Sequence, residues 1–85
     1  MEIEFTEQAD KDFIFWENTD KKIWDKIVTL LQAISENPFK GIGKPEPLRY
    51  NFKGYWSRRI TEEHRLVYKV SKNVITIISC RFHYR

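Results

Sequence analysis

The hydrophobic period of this chain changes most decisively just after a proline. Before Pro38, residues Ile23, Ile27, Leu30, Leu31 and Ile34 recur at the spacing that lays one apolar stripe along a helix. After the loop at 39–47 the period becomes two, in "LRYNF", "YWSRRI", "RLVYKV" and the long run "VITIISCRFHYR". Each half is thereby committed to its own kind of element. "EIEF" near the N-terminus alternates as well, placing Ile3 and Phe5 on one face of a short strand. "TEQADKDFIFWEN" reads as a first helix, capped by Thr6, with Glu7 in its first turn and Ala9, Phe13 and Trp16 on one side. Its "FIFW" run also admits a strand. A break at "NTD" precedes the second helix, and "NP" at 37–38 stops it.

The order β-α-α-β-β-β-β predicts an α+β domain, with the two N-terminal helices forming an αα-hairpin on one face of an antiparallel β-sheet. A chain of 85 residues holds one domain, 1–85, and 41% hydrophobic residues suffice for its core. Cys80 is the single cysteine, so no intramolecular disulfide forms, which suits a reducing compartment. No apolar run approaches the length of a membrane span, and "MEIEF" is acidic rather than signal-like. The expectation is a soluble, cytoplasmic protein without a membrane partner.

Charge is unevenly divided. Residues 1–39 hold four lysines against nine acidic residues, 4 − 9 = −5, and residues 40–85 hold eleven Lys/Arg against three Glu, 11 − 3 = +8. All six arginines lie in the second half, and a guanidinium is the better fork for phosphate. Chance patterning on a solvated surface is one reading; a polyanion site built from the C-terminal half is the other.

Within that basic half stands "KPEPL", which holds Glu46 between two prolines. Proline fixes φ and biases its predecessor to extended conformations, so Glu46 is expected on a stiffened loop. His83 either frays near the terminus or serves as a general acid. In a regular strand from Val74, residues Ile75, Ile77, Ser79, Arg81 and His83 would share one face, and Val74, Thr76, Ile78, Cys80 and Phe82 the other. Arg65 could pair with Glu62 or Glu63 across the adjacent turn, or meet a ligand. Arg58 and Arg59 are consecutive, so they face opposite sides and at most one joins a given site. Tyr84 is either core or a ring on which a base stacks.

Asp10 and Asp12 read as helix-surface charges and Cys80 as a small core residue. His64, Cys80 and His83 show no recurring metal-ligand spacing, and nothing resembles a Ser or Cys nucleophile with its base. A carboxylate, an arginine, a histidine and a basic surround remain. Metal-free RNA cleavage requires such a set: a base for the 2′-OH, an acid for the departing 5′ oxygen, and a cation for the phosphorane.

At "GKPEPL", "WSRRITEEHRLVY" and "CRFHY" the sequence closely resembles the YoeB family of RelE-superfamily toxins. The resemblance implies the RelE-like fold and a ribosome-dependent mRNA endonuclease acting in the ribosomal A site, with no metal or other cofactor. It also implies a YefM-type antitoxin that holds the toxin inactive, and suggests a homodimer. Matched by motif, Glu46 would be the general base, His83 the general acid and Arg65 the phosphate-stabilising cation. Arg59 would add a basic contact near the cleaved phosphate, and Tyr84 a ring that helps to hold RNA. Arg49 stands where relatives often carry lysine, and keeps the charge but not the shape. Two rival readings accompany this one: a toxin of the same fold with another target such as gyrase, and a non-catalytic RNA- or ribosome-binding module.

Overall fold

Two side chains set the phase of the N-terminal half. In the computed structural model, which describes residues 1–49 and 52–83, β1 (Glu2–Phe5) leads through Thr6 into α1 (Glu7–Thr19). The Thr6 hydroxyl accepts the Ala9 amide at 3.1 Å and donates to the Ile78 carbonyl at 2.9 Å. One cap thus satisfies a helix-end donor and pins the helix to the sheet. Asp20 alone separates α1 from α2 (Lys21–Glu36). Its amide donates to the Trp16 carbonyl and closes α1, while its carboxylate accepts the Lys22 and Ile23 amides and opens α2. The αα-hairpin therefore has almost no slack. It ends at Asn37, since Pro38 disfavours helical backbone in the residue before it.

The remaining strands are β2 (Glu46–Pro47), β3 (Tyr55–Arg59), β4 (Arg65–Ser71) and β5 (Val74–Ser79), and the sheet order is β1-β5-β4-β3-β2. Strands β2 to β5 pair antiparallel, as expected, while β1 lies parallel to β5 and makes the sheet mixed. The helices carry the chain from one sheet edge to the other. After three antiparallel pairings β5 returns beside β1 in the same direction. Ala9, Trp16, Ile27, Leu30 and Ile34 from the helices pack against Leu66, Tyr68, Ile75 and Ile77 from the sheet. Each buried Leu or Ile among them is worth about 1.5–3 kcal/mol.

Three sequence expectations need correction. The sheet resumes two residues before "LRYNF", of which Tyr50 and Asn51 lie outside the described residues. The paired strand is Glu46–Pro47, which the Leu48 amide extends by one bond of 2.8 Å to the Tyr55 carbonyl. Flanking prolines already hold that segment extended, and a residue without an N–H is tolerated on an edge strand. Glu46 is therefore a strand residue rather than a loop residue.

The last run is also shorter than its alternation suggests. Val67 lies opposite Ser79 and Tyr68 opposite Ile77, so Ile78 is an extra residue on β5. This bulge inverts the alternation: Ile75, Ile77 and Cys80 all reach the core, and Ser79 faces the other way. Finally, Asp12 is not a surface charge. It is 2% exposed, accepting the Cys80 amide and the Gln8 side-chain amide.

Candidate active site

Strand alternation separates two faces. Trp56, Leu66, Tyr68 and Val70 pack under the helices, so Ser57, Arg59, Arg65 and Val67 belong to the opposite face. Glu46 lies directly across from Ser57, and Arg59 directly across from Arg65. Residues opposite one another on neighbouring strands share a face. Register thus gathers a carboxylate and two guanidinium groups that are far apart in sequence.

Together with Lys44 they line an open polar pocket of about 70 Å³, and Ser57 is its buried member. Lys44, Arg59 and Arg65 against Glu46 leave the lining at 3 − 1 = +2. Among the described residues Glu46 makes no ion pair within 4.0 Å. Its charge and most of the cationic charge remain available to a ligand. Lys44 was not singled out from sequence. The signal for it was present, since it is the lysine beside the strand-forming "PEP".

The approach to Glu46 is held from below. Arg58 is fully buried on the helix side, and its guanidinium donates to the carbonyls of Asn37, Lys40 and Ile42 at 2.7–3.1 Å. Its Nε donates to the Tyr68 hydroxyl, which in turn donates to the Pro38 carbonyl at 2.6 Å. Four backbone carbonyls of residues 37–42 are gathered in this way. Gly43 follows, with φ of 84°. A Cβ there would stand 2.8 Å from Leu30 and 3.1 Å from the Arg58 side chain, so only glycine fits. The Gly43 carbonyl accepts the Arg59 amide, and Lys44, at φ of 51°, turns the chain into β2. Burial pushes the Tyr68 phenol above its ordinary pKa, and the hydrogen bond and charge of Arg58 pull the other way.

Arg65 does not pair with Glu62 or Glu63. Its Nη1 donates to the carbonyls of Thr61, Glu62 and His64 at 2.6–3.1 Å, which orients the guanidinium from one side. Arg59 makes the ion pair instead, 3.6 Å from Glu62, with both side chains substantially solvated. Such a pair is worth about 0–1 kcal/mol and yields readily to a stronger anion.

His83 is exposed and is not part of the pocket lining. The chain brings it close by another route: the Arg65 amide donates to the Phe82 carbonyl at 2.7 Å, and His83 is the next residue. Arg49 is exposed and outside the pocket lining, and its carbonyl accepts the Phe52 amide. Tyr84 lies outside the described residues.

Two helices on one face of a mixed sheet, with this polar pocket on the other, make a RelE-like fold. The YoeB/ParE toxin from Agrobacterium tumefaciens superposes with a TM-score of 0.95, at 46% identity, over 99% of this chain and 100% of that one. The heterotetrameric YoeB–YefM toxin–antitoxin complex from Staphylococcus aureus contains a chain matching at 49% identity and a TM-score of 0.89, over 99% of this chain and 98% of that one. Toxin YoeB of Synechocystis is 53% identical across 100% of this chain and 99% of its own length. The family model for the YoeB-like toxin of bacterial type II toxin–antitoxin systems matches residues 5–84, and the chain belongs to that family.

Proposed function

We propose that this toxin is a ribosome-dependent mRNA endoribonuclease, with Glu46, Arg65 and His83 as its chemical centre. The observation that carries the reading is that Glu46 and Arg65 line one cationic pocket while Arg65's own amide holds the residue preceding His83. The ionised Glu46 carboxylate removes the proton of a 2′-OH. The freed oxygen bonds to the adjacent phosphorus, and the bond from phosphorus to the 5′ oxygen breaks. His83 returns a proton to that leaving oxygen. Arg65, helped by Arg59 and Lys44, stabilises the charge that accumulates on the phosphorane.

A carboxylate is a weak base, so positioning must supply what basicity does not. Pro45 and Pro47, the pairing to Ser57 and the loop gathered by Arg58 all restrict where Glu46 points. Arg49 and Tyr84 would extend the contacts to RNA. The same cationic pocket suits an acidic antitoxin segment that orders on binding, as the YoeB–YefM complex of Staphylococcus aureus encourages.

The chemistry predicts fragments ending in a 2′,3′-cyclic phosphate and a 5′-hydroxyl when translating ribosomes are treated with the toxin. Mapping 5′-phosphate ends instead would indicate attack by water. Glu46→Gln and His83→Gln should each slow cleavage about 10²–10⁴-fold. Full activity in either variant would remove that residue from its role, and intact message throughout would favour a binding module.

A further inference from the structure

The C-terminal segment ends in an exposed histidine, yet the peptide groups leading to it are held in detail. The Cys80 amide donates to the buried Asp12 carboxylate at 3.0 Å, and Trp16 Nε1 donates to the Cys80 carbonyl at 2.8 Å. Two residues on, the Phe82 amide donates to His64 Nδ1 at 2.7 Å, and the Phe82 carbonyl accepts the Arg65 amide. Phe82 has φ of 62°, a left-handed conformation that a bulky residue seldom adopts without being held there. His64 and Arg65 therefore grip both sides of this one residue, immediately before His83.

The direction of the first bond fixes the chemistry of His64. An amide nitrogen only donates, so Nδ1 must present its lone pair and the ring proton must sit on Nε2. His64 as a whole is 8% exposed, and its ring meets Trp16 edge-on at 4.7 Å and Phe82 at 5.7 Å between centroids. Its backbone amide donates to the Thr61 hydroxyl, so the turn that orients Arg65 also places the acceptor. The Arg81 guanidinium carbon stands 3.7 Å from the centre of the Phe15 ring and 4.7 Å from that of Phe82. The two aromatic contacts confine the ring, and the Phe82 amide meets its Nδ1 lone pair.

We infer that His64 is a positioning residue: neutral and Nε2-protonated, it holds Phe82 in its left-handed conformation and thereby aims His83 at the pocket of Glu46 and Arg65. The kinetic consequence rests on the ribonuclease reading; the hydrogen bond does not. Its first test is nitrogen NMR of the whole chain. A coupling between the Phe82 amide nitrogen and His64 Nδ1, with the ring in its Nε2-protonated form, is expected. Absence of the coupling, or a proton on Nδ1, overturns the inference.

The second test compares two variants. His64→Phe keeps an aromatic ring in the niche without an acceptor, and His64→Asn packs less well but places an oxygen near the Nδ1 position. Cleavage on ribosomes should fall about 10²-fold in His64→Phe at saturating ribosomes, with half-saturation unchanged. His64→Asn should recover most of that loss, and the exchange protection of the Phe82 amide should follow the same order. A folded His64→Phe with wild-type rate and protection, or a folded His64→Asn worse than His64→Phe in both, overturns the positioning role. Should the wild type leave message intact while the coupling and the exchange order are present, the ribonuclease reading falls and the role of His64 in holding the segment stands.

Discussion

Arg58 and Arg59 are neighbours in the chain and carry the same side chain, yet the fold uses them for opposite purposes. Arg58 is fully buried, and four hydrogen bonds to Tyr68, Ile42, Asn37 and Lys40 occupy its guanidinium. No carboxylate lies within 4.0 Å of it among the described residues, so three carbonyl dipoles and the Tyr68 hydroxyl face its charge. The Arg59 side chain is 41% exposed and holds one loose pair with Glu62. The first spends four of its five N–H donors on the fold; the second makes one solvated ion pair and keeps donors for an anion. An arginine in a basic patch is a ligand contact only when strand phase leaves its donors unspent. A count of cations overstates the site by those that hold the fold.

Stability should separate the pair most sharply. Arg58→Met keeps the volume but leaves the carbonyls of residues 37–42 and the Tyr68 hydroxyl without a donor, and should cost about 3–5 kcal/mol of unfolding free energy. A urea midpoint equal to wild type would break the comparison. Arg59→Ala should do the reverse. Cleavage should slow about 10²-fold, as on losing a preorganised donor, while stability stays within about 0.5 kcal/mol. Measured unfolding and end-labelled message on the same preparation would show both halves of that contrast.

The smallest effect probes the Arg58 side from its partner. Because burial raises the Tyr68 pKa in the folded chain, its neutral form contributes stability that is fully present below the ordinary phenol value of about 10. That contribution is lost as pH rises through the higher folded value. Tyr68→Phe should cost about 1 kcal/mol at neutral pH and flatten the alkaline limb of the stability profile. An unchanged alkaline limb would show that Tyr68 ionises without opposing the fold.

Much of this was legible before any coordinates. The helices announce themselves through period, through Thr6 and through the "NP" stop, and α1 and α2 run as read. The opposed directions of Arg58 and Arg59 follow from strand alternation alone. The motif match nominated Glu46 and Arg65, which line the same pocket. Other features resisted. The bulge at Ile78 leaves no mark in a run of β-formers, so alternation alone puts Ser79 and Cys80 on the wrong faces. Asp12 looked like any surface carboxylate because its partner, the Cys80 amide, lies 68 residues away. The spacing of His64 gives no sign of metal binding and no sign of its actual use, as an acceptor for the distant Phe82 amide.

By itself the sequence determined the class of each element, the chemistry available to a site, and the family to which the chain belongs. Those properties depend on local spacing and residue type, which are written in the chain. Tertiary structure decided which strand lies beside which, that β1 joins parallel, that Glu46 stands opposite Ser57, and that one arginine serves the core while the next faces the pocket. Register and burial are settled by contacts between distant segments. Competing registers differ in which side chains and peptide groups they leave unsatisfied, and only the folded whole compares them.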